Sequence, residues 1–85
     1  MKKIYPKKTA EALKHVGVRL RELRKKKGFN NYEHIAYELG MSRSQYWKYE
    51  QGGNIELATL LRVLNLLDVT LGEFFENFDK FKMRT

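Results

Sequence analysis

From Thr9 onward the apolar residues Leu13, Val16, Leu20 and Leu23 recur at offsets of three, four and three. That is the 3.6-residue period of a helix with one buried face. The pattern predicts a first helix over about 9–27, with the Thr9 hydroxyl as its cap. Lys25, Lys26 and Lys27 suit the negative end of its dipole, and Gly28 can take the left-handed conformation that ends it. A second, short helix over about 32–39 carries Ile35, Ala36 and Leu39 inward and stops at Gly40. Its cap is either Asn30, which makes a capping box with Glu33, or Asn31 one residue later.

Three residues on, Ser42 and Gln45 form another capping box, with Met41 and Tyr46 as the hydrophobic staple, and predict a third helix over about 43–51. A Gly52-Gly53-Asn54 turn leads to Leu57, Leu60, Leu61, Leu64 and Leu67, a fourth helix apolar enough to be central. Thr70 with Glu73, flanked by Val69 and Phe74, opens a fifth helix carrying Leu71, Phe74, Phe75 and Phe78. No segment alternates as a strand does. The fold class read from the pattern is all-α.

Composition narrows the picture. The chain has 85 residues, 42% of them apolar and 13% aromatic, enough for one small core and not for two domains. Cysteine is absent, so neither a disulfide framework nor a cysteine zinc site is expected. No apolar run approaches the ~20 residues of a membrane helix, and the start Met1-Lys2-Lys3-Ile4-Tyr5-Pro6 lacks the apolar stretch of a signal peptide. A cytoplasmic location and no membrane partner are the expectations. Proline occurs once, at Pro6, and no internal linker is visible. Residues 1–8 are therefore read as a flexible basic arm and 9–85 as one domain.

Charge adds a partner class. Seventeen Lys and Arg against ten Asp and Glu give +7, which points to a polyanion. Residues 1–28 hold eleven basic and two acidic side chains, so they supply all of the excess.

The segment from Ile35 to Tyr49 has the spacing of a helix-turn-helix. Ala36 is small where a second helix crosses near its Cβ, and Gly40 reverses the chain. Apolar positions 35, 39, 41, 46 and 49 hold the two helices at a steep angle. With Tyr46 and Tyr49 inward, Arg43, Ser44, Trp47, Lys48 and Gln51 share the opposite face. Arg43 and Lys48 can donate to guanine O6 and N7, and Ser44 can donate or accept. Trp47 can meet a thymine methyl or sugar, or pack on a neighbouring helix. Base readout is assigned to Arg43, Ser44, Lys48 and Trp47.

Backbone N–H groups at the starts of the second and third helices favour anions. Asn30, Asn31, Tyr32, Ser42, Gln45, Gln51, Gly53 and Asn54 are the expected phosphate-side residues, with diffuse attraction from Lys2, Lys3, Lys7 and Lys8. His15 and His34 are isolated, so no metal is expected. Neither a nucleophile elbow nor a phosphate loop is present, so no cofactor and no catalysis are expected.

Residues 16–76 resemble the Cro-type, phage-repressor-like helix-turn-helix domains, the XRE family. The likeness runs through the stretches Leu20-Arg21-Glu22-Leu23-Arg24, Ile35-Ala36-Tyr37-Glu38-Leu39-Gly40-Met41-Ser42, Glu50-Gln51-Gly52 and Leu57-Ala58-Thr59-Leu60-Leu61. The resemblance implies five helices, double-stranded DNA bound by the third in the major groove, and a homodimer on a near-palindromic operator. It also implies an internal ion pair between Arg24 and Glu50. Transcriptional repression is the function that follows.

Two departures stand out. One residue is inserted between Gly28 and Ala36, and Tyr32 replaces the glutamine that opens the family's second helix. Tyr46, Trp47 and Tyr49 also replace smaller residues in the recognition helix. That aromatic cluster, or the C-terminal phenylalanines, supplies the alternative reading: an antitoxin that neutralises a toxin partner. Phe78 and Phe81 are in addition candidates for a dimer surface.

Overall fold

A computed structural model describes residues 4–81 of the chain. Five helices follow one another: α1 (Lys7–Lys27), α2 (Tyr32–Leu39), α3 (Arg43–Glu50), α4 (Leu57–Leu67) and α5 (Leu71–Phe74). Among the described residues there is no strand, and the all-α reading holds. The first helix starts at Lys7, earlier than Thr9. Pro6 stands in the capping position with φ −53° and without a side-chain cap, and its carbonyl accepts the Ala10 N–H at 2.9 Å. Proline's fixed φ is already close to helical, so it can lead the chain into a helix without a hydroxyl's help. Lys7 and Lys8 are consequently helical. The arm positions Lys2 and Lys3 lie outside the described residues.

The core gathers Leu20 and Leu23 from α1, Ile35, Ala36 and Leu39 from α2, Tyr46 from α3, four residues of α4, and Phe74. Those four are Leu60, Val63, Leu64 and Leu67. Leu57 and Leu61, two of the leucines that mark this helix in the sequence, are exposed. In α4, LATLLRVLNLL, the polar Thr59, Arg62 and Asn65 share one side and the buried stripe lies roughly opposite, with Leu57 and Leu61 on its flank. Arg62 of α4 donates to the Leu39 carbonyl at 2.6 Å and so closes the C-terminal end of α2.

Helix α5 is one turn long, shorter than its phenylalanines suggest. Arg19 of α1 caps its C-terminal end: its guanidinium donates to the Phe74 and Glu73 carbonyls at 3.2 and 2.8 Å. These are acceptors that another helical turn would use. Leu71 and Phe75 are left exposed. Phe78 is half-buried, with its ring edge-on to His15 at 4.5 Å and near Phe74, Phe75 and Phe81. Phe78 and Phe81 thus fold back onto the His15 side of α1 instead of standing out as an apolar patch.

The capping box of α5 is complete. Thr70 Oγ1 accepts the Glu73 N–H and Glu73 Oε1 accepts the Thr70 N–H, both at 3.0 Å. The backbone hydrogen bond from Thr70, followed by that with its side chain, holds the Glu73 carboxyl below its ordinary value. Because the folded value lies below the unfolded one, the box contributes fully above the unfolded value of about 4.3 and is lost as pH falls through the folded value. The stability gap between wild type and Glu73→Ala is therefore expected to narrow in urea titrations as pH drops below about 4. A gap constant between pH 2 and 7 would refute this role.

Candidate nucleic-acid interface

Two local devices aim α3. The first is the turn: Gly40 adopts φ 69°, a left-handed conformation that costs glycine little. Its backbone returns hydrogen bonds to α2, from Gly40 N–H to the Tyr37 carbonyl at 3.1 Å and from Met41 N–H to the Ala36 carbonyl at 3.0 Å. The second is the cap: Ser42 Oγ accepts the Gln45 N–H at 3.1 Å. The reciprocal half of the expected capping box is missing. The Gln45 side chain donates instead to the Tyr49 hydroxyl one turn on, at 3.3 Å. On α2 the choice of cap falls to Asn31, whose Oδ1 accepts the His34 N–H at 2.8 Å, while Asn30 stays exposed.

Helix α3 ends at Glu50, with Gln51 as its cap residue. Tyr46 is fully buried and Tyr49 half-buried, while Arg43, Ser44, Trp47, Lys48 and Gln51 are exposed. The last five are the residues expected to share the outward face. Trp47 is 45% exposed. Of the aromatic cluster, Tyr46 cannot serve as a partner surface, since it is enclosed. Burial, with Glu50 beside it, pushes the Tyr46 hydroxyl above its ordinary value, although no well-formed hydrogen bond reaches that oxygen. Tyr46 therefore stays neutral.

Behind the face stands the Arg24 and Glu50 pair. Arg24 Nε donates to Glu50 Oε2 at 2.7 Å and a terminal nitrogen to Oε1 at 3.2 Å, a two-point contact. The other terminal nitrogen donates to the Phe29 carbonyl at 2.7 Å. Burial works against the Arg24 charge, but the hydrogen bond and charge of Glu50 outweigh it, and the guanidinium is held above its usual value. The Tyr32 ring lies 4.8 Å from the Arg24 guanidinium carbon. The Arg43 guanidinium carbon lies 5.9 Å from the same ring. Tyr32, expected on the phosphate side, thus packs between the buried pair and the exposed face.

The turn after α3 is tight. Gly53 donates its N–H to the Lys48 carbonyl at 2.8 Å, so this group is already used within the protein. Asn54 is exposed. Three features were not legible in the sequence. Glu33 reaches Arg43 across the turn, with its Oε1 3.6 Å from Arg43 Nε, and residues ten apart on two helices carry no local signal of contact. Tyr37 is 81% exposed on α2. Gly17, in the middle of α1, faces the backbone of Tyr49 and Glu50. Its burial was the only available signal, and that depends on the tertiary fold.

Among the described residues no group of three or more His, Cys, Asp or Glu is placed to hold a metal ion, and no helix is long and apolar enough to cross a membrane. Two helices joined by a tight glycine turn, the second capped and partly outward-facing, on a small all-helical core define a helix-turn-helix DNA-binding domain. Residues 15–74 match the family model described as a helix-turn-helix domain, and the chain belongs to that family. No curated protein and no solved structure gives a significant match.

Proposed function

We propose that the chain is a Cro-type, XRE-family transcriptional regulator, a cytoplasmic repressor that occupies a specific site on double-stranded DNA with α3 in the major groove. The observation that carries this reading is the split of α3. Tyr46 and Glu50 anchor it inside, while Arg43, Ser44, Trp47, Lys48 and Gln51 stand exposed. Arg43, Ser44, Lys48 and Trp47 read base edges. Asn30, Asn31, Ser42, Gln45, Gln51 and Asn54, with the start of α2, lie against phosphates, and the basic α1 region supplies attraction independent of sequence. A homodimer sets two copies on a near-palindrome. Exposed Leu57, Leu61, Leu71 and Phe75 offer apolar surface that a second copy can cover.

Selection of bound duplexes from a random pool tests the reading. The expected product is a palindrome with half-sites about 34 to 36 Å apart, one helical turn. Failure to enrich any sequence would end it. Arg43→Ala is expected to weaken specific binding by about 1 to 3 kcal/mol and to relax one base position, with the thermal melt unchanged. Unchanged preference in competition assays would remove Arg43 from the readout set. The antitoxin reading keeps only Trp47 and Phe75 as exposed aromatic surface from the residues that suggested it. A toxin-like reading frame beside this gene is the observation that would favour it.

A further inference from the structure

The helix-turn-helix unit is not uniformly basic. Its leading DNA-facing cation, Arg43, stands next to a carboxylate. Glu33 lies in the first turn of α2, and its Oε1 is 3.6 Å from Arg43 Nε, with the two side chains 77% and 62% exposed. A pair so exposed adds little to folding. An anion on a face that meets phosphates also costs affinity for any duplex. The ion pair's own contribution to folding and general affinity therefore do not account for its placement beside Arg43.

Its geometry relative to Arg43 gives a better account. The contact engages Nε, the inner nitrogen of the guanidinium, and Tyr32 flanks the same group at 5.9 Å. With the closest approach at Nε and no hydrogen bond from either terminal nitrogen among the described residues, those two nitrogens can form the fork that donates to guanine O6 and N7. An arginine free to swing would instead settle on the nearest phosphate of any sequence.

We propose that Glu33 is a specificity-determining, positioning residue. Its carboxylate holds Arg43 towards the base edges and opposes the use of Arg43 as a general phosphate clamp. This inference rests on the DNA-binding reading above and assigns a role to a residue on α2, outside the recognition helix. Glu33 also suits the positive end of the α2 dipole. That role alone would not affect which base is preferred.

The test compares wild type, Glu33→Gln, Arg43→Ala and the double variant. Each is titrated with the selected duplex, the same duplex changed at the base pair that Arg43→Ala relaxes, and a scrambled duplex, over a salt series. Glu33→Gln is expected to lower the preference at that base pair about tenfold. It should also raise affinity for the scrambled duplex about threefold at low salt, with the melting temperature within about 3 °C of wild type. In the Arg43→Ala background the same change should leave the preference at that position where it was. Intact preference in Glu33→Gln, beside a selective wild type, overturns the role of Glu33 alone. An equal loss with Arg43 absent does the same. A wild type that prefers no duplex overturns the DNA-binding reading together with this one.

Discussion

Glu50→Ala is expected to destabilise the domain by about 3 to 5 kcal/mol, the loss found when one partner of a buried ion pair is removed. The Arg24 and Glu50 side chains are 3% and 0% exposed, so the substitution leaves a guanidinium in the interior with no counter-charge. Arg24 cannot escape by releasing its proton, since arginine stays charged at any ordinary pH. The Phe29 carbonyl and the Tyr32 ring would be its remaining neighbours. Urea denaturation measures the loss. Arg24→Met combined with Glu50→Leu should recover most of it, because the desolvation cost of both charges then disappears. A Glu50→Ala midpoint close to wild type would show that water reaches the pair.

Gly17→Ala is expected to be nearly as damaging, at about 3 kcal/mol, although it adds a single methyl group and normally favours a helix. A Cβ at residue 17 would come within 2.8 Å of both the Glu50 carbonyl carbon and the Tyr49 carbonyl oxygen. These are backbone atoms and cannot rotate aside. Helices α1 and α3 would have to separate, loosening Leu20 and the buried ion pair with them. For a domain of this size that corresponds to a fall in melting temperature of about 12 to 24 °C. A mild change, under about 4 °C, would mean that the two helices can slide apart without loss.

What could be read from the sequence was local. The caps at Ser42 and Thr70, and Asn31 as one of two choices for α2, each join a side chain to an N–H three residues away or fewer, so the order of residues alone exposes them. The exposed face of α3 was legible because Tyr46 and Tyr49 fix its phase. The hidden features depend on contacts between distant parts of the chain. Gly17 looks like a weak point in α1 until α3 is laid across it. The end of α5 is capped by Arg19, more than fifty residues earlier. In α4 the polar Thr59, Arg62 and Asn65 mark the outer side, while the exposure of the flanking Leu57 and Leu61 depends on what packs beside the helix. Glu33 was invisible as a neighbour of Arg43 because the turn between them decides their distance.

The close seating of α3 on α1 at Gly17 also has a mechanical consequence. On the proposed reading, in which α3 enters the groove, a helix pressed main chain against main chain and bolted by an enclosed ion pair has little give. On a duplex of imperfect width the strain would pass to the nucleic acid. Operators would then be ranked partly by how easily their steps bend or twist, with supple pyrimidine–purine steps favoured even at positions that no side chain reaches.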